Sequence, residues 1–420
     1  MVSLAAAIMA IAACEDFHIK KNDPDQVLTV YSLGYNNLAG YLQEDIRDLE
    51  DSYASVGGNN AVIIFSHKTK QSYDYATPNP PVIIELTKDR KGSVIRDTLM
   101  AMDKNTVGTS GETLNKVLTF IKERYPEAEH SILFTSHGTG WAPADYCNEP
   151  DRYETDLGET DWLMRKVRMG RTPYWGIIPE DGSPAVKSFG VQNMSKDTYL
   201  EMDINEMADA FPMKMKSMIF DACFMGAVEV AYELRNVTEM LVASQTEILA
   251  DGMDYETMLS YIFKKDSDLK GFCENYFNYY NRLSGDSQSA TISLVDCSKL
   301  EPLAEICREI FDSQREEIAA LEGSMSIQRY YRLRYAYNHK WFYDLEDIIA
   351  HSGISQEQKD RLDAALEECI VYKATTEEFM NEITINTHCG LSMYLPYASH
   401  TYLNDFYKTL EWNKATGLVQ

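Results

Sequence analysis

"SMIFDACFMGAVEVAYEL", residues 217–234, decides the fold class. Ser217 to Phe220 read as the end of a buried strand. The chain then passes through Asp221-Ala222-Cys223 into a helix that carries Ala227, Ala231 and Leu234 on one side. A strand feeding directly into a helix is half of a parallel strand–helix–strand unit.

The same alternation extends in both directions. "VLTVYSL" (27–33), "AVIIF" (61–65), "PVIIEL" (81–86), "SILFTS" (131–136), "TEMLVAS" (238–244) and "TISLV" (291–295) read as further strands. Several are continuously apolar, as strands buried on both faces must be. Helical stretches lie between them: "LAGYLQEDIRDLEDSY", "DINEMADAF" and "TSGETLNKVLTFIKERYP". The last reads as a Thr109–Glu112 capping box with Leu114, Val117, Leu118 and Ile121 on one stripe, stopped by Pro126. The expectation is an α/β fold: a mostly parallel sheet flanked by helices on both sides.

Four regions follow. Residues 1–14 read as a signal peptide, 15–26 as a polar tether, 27–297 as the α/β core, and 298–420 as a mainly helical region. Within the core, 142–200 is rich in Gly, Pro, Asp and Trp and reads as a long insertion. Within the last region, "SKLEPLAEICREIFDSQREEIAAL", "QRYYRLRYAYNHKWFYDLEDIIA" and "SQEQKDRLDAALEECIVY" read as helical, and "GLSMYLP" (390–396) as a late strand.

The 420 residues carry a formal charge of −26. Such an acidic body repels nucleic-acid phosphate and attracts cationic partners. The opening "MVSLAAAIMAIAAC" is apolar but too short to span a bilayer. Ile11-Ala12-Ala13-Cys14 resembles the lipobox of bacterial lipoproteins, although no Lys or Arg precedes the run. The resemblance implies export, lipidation at Cys14, and membrane attachment through that anchor alone. Eight cysteines occur with no C-x-x-C spacing, so neither a zinc site nor a thioredoxin-type motif is expected.

Two strand ends carry the chemistry. Cys223 lies where a strand ends and a helix begins, and "SILFTSHGTGW" (131–141) puts His137 at the end of another strand. Ligands of open α/β sheets bind at the carboxyl ends of strands. A helix N-terminus would lower the thiol's pKa. If the two strands are neighbours, thiol and imidazole share a crevice. The thiolate then attacks an amide carbonyl and the imidazolium protonates the leaving amine. The amides of Gly138 and Cys223 are the candidate oxyanion donors. Asp221 lies two residues before Cys223 on the same face of an extended chain, about 6.5–7 Å away, close to the reach of an Arg or Lys side chain. It reads as the acid that binds a P1 cation, or as a carboxylate capping the following helix.

A strand ending in His-Gly followed by one ending in Asp-Ala-Cys resembles the caspase-like cysteine peptidases, and "SHGTGW" with "DACFMGAVEVAYEL" is similar to the clostripain family. "VASQTEILADGMDYE" and "DTYLEMDINEMADAF" extend the resemblance, which covers residues 27–260 well. It implies a caspase-like sheet, the dyad His137–Cys223, and cleavage after Arg or Lys. It also implies a second substrate-binding acid at Asp251, with Glu247 as a competitor, and self-processing at a basic residue between the dyad members. Arg152, Arg165, Lys166, Arg168 and Arg171 are the candidates.

No cofactor is required by this chemistry. Calcium is implied only by resemblance, and Asp296, Asp344, Glu346 and Asp347 lack calcium-loop spacing and read as surface acids. The partners expected are peptides or proteins with Arg or Lys at P1, acted on by a monomer. The alternative is a non-catalytic surface lipoprotein that binds peptide or glycan on the same fold.

Overall fold

The computed structural model describes residues 23–36, 38–68, 79–144, 146, 186–187, 192–195, 198–332 and 341–420. Cys14 and all five candidate cleavage residues lie outside the described residues.

One nine-stranded sheet organises the molecule. Its strands are β1 (Gln26–Gly34), β2 (Asn60–Lys68), β3 (Val82–Lys88), β4 (Val94–Ala101), β5 (Glu129–Thr135), β6 (Met215–Asp221), β7 (Thr238–Ala243), β8 (Thr291–Asp296) and β9 (Ile370–Thr375). The spatial order is β9-β8-β7-β6-β5-β1-β2-β3-β4. The five central strands β7-β6-β5-β1-β2 pair in parallel. Two antiparallel strands flank them at each edge. The central strands are buried along nearly their whole length, which is why their sequences are continuous apolar runs rather than alternating ones.

Parallel crossovers are right-handed, so connections that step in opposite directions from the middle of a sheet place their helices on opposite faces. Helix α1 (Ala39–Ser55) leads from β1 to β2 and packs against the helix Tyr255–Ile262. On the other side, α2 (Gly111–Arg124) packs on α3 (Ile204–Asp209), α3 on α4 (Val228–Leu234), and α4 on the helix Glu411–Thr416. Leu114, Val117, Leu118 and Ile121 are all fully buried, as their stripe requires. The cap of α2 differs from expectation. Ser110, not Thr109, is the N-cap and accepts from the Thr113 amide, while Thr109 is buried.

The region after 298 does not read as simply as its sequence. Helices Leu300–Ser313 and Gln356–Cys369 form as expected. Among its described residues, the stretch "QRYYRLRYAYNHKWFYDLEDIIA" is helical over Leu345–Ala350 alone; Tyr343–Asp344 is a strand paired with Ser392–Met393. That two-residue strand is all that forms of the late strand read over 390–396. β9, unread in the sequence, carries the C-terminal region into the main sheet. Among the described residues no helix is long and apolar enough to cross a membrane.

Candidate active site

β5 and β6 are neighbours in parallel register, with Ser131 opposite Ser217 and Thr135 opposite Asp221. The Ser217 hydroxyl donates to that of Ser131 at 2.9 Å. His137 and Cys223 each lie two residues beyond the last pair, so the same alignment carried forward would bring them together. The close approach of Gly138 supports this: a β-carbon there would lie 2.4 Å from the Cys223 carbonyl oxygen and 2.9 Å from its amide nitrogen. Only glycine lets these two backbones touch. The amides of Gly138 and Cys223 therefore lie close together, and among the described residues neither donates to a backbone carbonyl.

The loops that hold these groups are fixed by aromatic packing. Trp141 is fully buried, its ring 5.0 Å from that of Tyr394 and 4.9 Å from that of Tyr407. Phe224 has a positive φ of 60° and stacks on Phe342 at 4.7 Å. The Phe224 amide donates to the Thr246 carbonyl at 2.9 Å, and that of Gly226 to Ser244 at 2.7 Å. Gln245 ties this second loop to the C-terminal region, donating to Ser293 Oγ and the Gly390 carbonyl and meeting His388 Nε2 at 2.8 Å.

Asp221 is buried, and its Oδ2 accepts from the Tyr255 hydroxyl at 2.6 Å and the Thr135 hydroxyl at 3.2 Å. It does not cap α4, whose N-cap is Ala227 with no side-chain cap bond. Asp251 lies exposed in the turn before the Tyr255 helix, and the Tyr280 hydroxyl donates to the neighbouring Gly252 carbonyl at 2.6 Å. Glu247 accepts from Arg332 through both carboxylate oxygens, at 2.5 and 2.9 Å, so a buried guanidinium already engages that carboxylate.

Two expectations about the thiol are corrected. Cys223 precedes the first residue of α4 by five positions rather than standing at its N-terminus, so the helix end does not act on it directly. Its pKa is raised, not lowered: burial pushes the thiol up, and the Glu247 carboxylate adds to this. The Ile248 amide donates to the sulfur at 3.2 Å, and Arg332 opposes the shift. Nor do Cys223 and His137 lie in an open crevice. Cys223 is 0% exposed and His137 1%. The Ile248–Leu249 segment that meets the sulfur is itself paired with Val186–Lys187 from the insertion.

The calcium candidates do not gather. Asp344 is fully buried rather than at the surface; it caps the Leu345–Ala350 helix and accepts from Tyr330 and from the Cys389 amide. Asp296 caps its own short turn and Glu346 pairs with Lys359. Among the described residues no group of three or more His, Cys, Asp or Glu side chains could hold a metal ion. Cys223, Cys273, Cys297, Cys307, Cys369 and Cys389 are all buried free thiols.

Sequence reading missed Tyr255 as a partner of Asp221, although it lies within "VASQTEILADGMDYE". It also missed Arg332, which no spacing marks.

The model of the clostripain family matches residues 30–153 and 178–417. No curated protein matches the sequence. Among solved structures, an inactive zymogen C11 protease from Parabacteroides distasonis is 25% identical, with 94% of this chain and 98% of that one covered and a TM-score of 0.72. A secreted C11 cysteine protease from Bacteroides thetaiotaomicron is 24% identical over 94% and 99% of the two chains, with a TM-score of 0.72. A structure of a secreted C11 cysteine protease from the same organism, in complex with an irreversible peptide inhibitor, is 21% identical over 94% and 99%, with a TM-score of 0.70. At 24% and 21% the likeness is one of fold.

Proposed function

The chain belongs to the clostripain family of cysteine proteases, and from that premise we propose that it is an endopeptidase cutting after Arg or Lys with a His137–Cys223 dyad. The observation that supports this reading is the β5–β6 register together with the close approach of Gly138 to the Cys223 backbone, at the carboxyl ends of two neighbouring parallel strands.

The thiolate of Cys223 attacks the scissile carbonyl. The Gly138 and Cys223 amides take the oxyanion charge. His137 protonates the leaving amine, and water then releases the acyl group. Asp221 pairs with the P1 guanidinium or ammonium, with Asp251 as a second acid at the mouth. A carboxylate already oriented by Tyr255 and Thr135 suits that task, because its hydrogen bonds fix its direction before the cation arrives. The reaction itself uses no cofactor; calcium, where it acts, acts on folding or maturation, which chelation with EDTA tests.

The single chain is a latent form. A thiol with no exposure and a raised pKa is not a competent nucleophile. The Parabacteroides relative is described as an inactive zymogen. Cleavage within the insertion, at Arg152 or among Arg165, Lys166, Arg168 and Arg171, would free Val186–Lys187 from the segment it pairs with. In the cell the chain is exported and held by lipid at Cys14; labelled fatty acid incorporated into wild type but not Cys14→Ser tests this.

The deciding experiment is turnover of Arg- and Lys-terminated amide reporters by purified, processed protein. Cys223→Ala is expected to abolish it and Asp221→Asn to weaken it. Turnover by Cys223→Ala removes the mechanism.

A further inference from the structure

Glu247 and Arg332 form a buried ion pair that the mechanism does not use. Their side chains are only 5% and 2% exposed. The geometry is bidentate, from Nε and one terminal nitrogen of the guanidinium to the two carboxylate oxygens, at 2.5 and 2.9 Å. Glu247 is followed at once by Ile248, whose amide meets the Cys223 sulfur at 3.2 Å. Arg332 is itself held in place: Gln328, four residues earlier, donates to the Thr384 carbonyl, and Tyr330 donates to buried Asp344. The clamp thus joins the C-terminal region to the backbone group that touches the sulfur.

We propose that Arg332 is a positioning residue for the nucleophile: its grip on Glu247 fixes the Ile248 amide against the sulfur and supplies the counter-charge beside it. The proposal rests on Cys223 being the nucleophile. A carboxylate buried next to a thiol opposes thiolate formation, and an unpaired one opposes it most. Glu247 pushes the Cys223 thiol up and Arg332 pulls it down. The other groups that act on the sulfur are Asp221 at the end of β6 and Tyr276 on the helix Leu269–Asn281; His137 lies in the loop after β5, the strand paired with β6. Glu382 lies 3.9 Å from the far side of Arg332. Of these, Arg332 alone carries a fixed positive charge.

The test is the pH dependence of alkylation of Cys223 by iodoacetamide in the processed protein, with both pieces retained and the thiol reachable, read by mass spectrometry of the Cys223 peptide. It needs no peptide hydrolysis, so its outcome is separate from that of the reporter assay. Arg332→Gln is expected to raise the pH of half-maximal alkylation by at least about one unit, which is about tenfold less thiolate at a given pH. Arg332→Lys, which keeps the charge but loses the bidentate fit, falls between. The Arg332→Gln/Glu247→Gln double variant returns close to wild type, because carboxylate and counter-charge leave together. A role in stability alone lowers the melting temperature and leaves the inflection where it was. Where Arg332→Gln does not fold, Glu247→Gln carries the test and is expected to lower the inflection. An unmoved inflection in Arg332→Gln or Glu247→Gln, or a double variant displaced as far as the single, overturns the proposal.

Discussion

Replacing Gly138 by alanine tests the contact between the two strand ends most sharply. The added methyl would sit 2.4 Å from the Cys223 carbonyl oxygen, 2.9 Å from its nitrogen and 3.0 Å from the Ala222 β-carbon. Ordinary contact begins near 3.4 Å, so the two backbones must part by about 1 Å. Neither side yields easily. Trp141 anchors one loop in an aromatic cage, and the Phe224 and Gly226 amides hold the other to residues 246 and 244. Overpacking of this kind costs about 1–3 kcal/mol of stability. The catalytic cost is larger, because a misplacement of about 1 Å costs about 10²-fold and loss of one oxyanion donor costs about 10²–10³-fold. The variant is expected to fold with a lowered melting temperature and to lose at least about 100-fold in kcat/KM on an Arg reporter. Gly57→Ala, which meets nothing within 4 Å, is the control and should change neither. An alanine variant with wild-type kcat/KM would refute the inference that Gly138 and Cys223 frame one site.

Asp221→Asn keeps the shape and the two hydrogen bonds but removes the charge; kcat/KM for Arg and Lys reporters should fall by more than tenfold, about 1.4 kcal/mol or more, with less change for an uncharged P1. Trp141→Ala empties a fully buried site among Phe342, Tyr394 and Tyr407, and denaturant unfolding should show a loss of about 3–5 kcal/mol. Burial raises the Glu229 carboxyl to about 7, even though the Tyr394 amide and the Tyr407 hydroxyl donate to it. The folded state therefore holds a proton that the unfolded state releases above about 4.3. Stability from this group is complete below that pH and is lost as pH rises to about 7; the loss is of order 3 kcal/mol. Urea melts of Cys223→Ala at pH 5 and pH 8 should differ by that much more than those of Cys223→Ala/Glu229→Gln, and parallel slopes would show that Glu229 does not titrate in this range.

The parallel centre of the sheet was legible because strands buried on both faces announce themselves as unbroken apolar runs. The antiparallel edges were less so: Val94–Ala101 is largely exposed and reads "VIRDTLMA", with charge and polarity mixed in. Ile370–Thr375 directly follows a helix with no turn residue between them, so its pattern merged with the helical one. His137 and Cys223 could be proposed as partners because each lies two residues past the end of a strand, and the carboxyl ends of parallel strands are where ligands bind. What covers the thiol could not. The Ile248 amide is a backbone group with no sequence signature, and Glu247 and Arg332 are 85 residues apart. The raised thiol pKa follows from that same covering, so a rule about helix ends gave the wrong sign.

The most direct test of the account is labelling of processed protein with an Arg-derived acyloxymethyl ketone, followed by mapping of the modified residue. The account predicts one adduct on Cys223, absent in His137→Ala and slowed in Asp221→Asn. An adduct on another cysteine, or undiminished labelling of Cys223 without the imidazole, would contradict it.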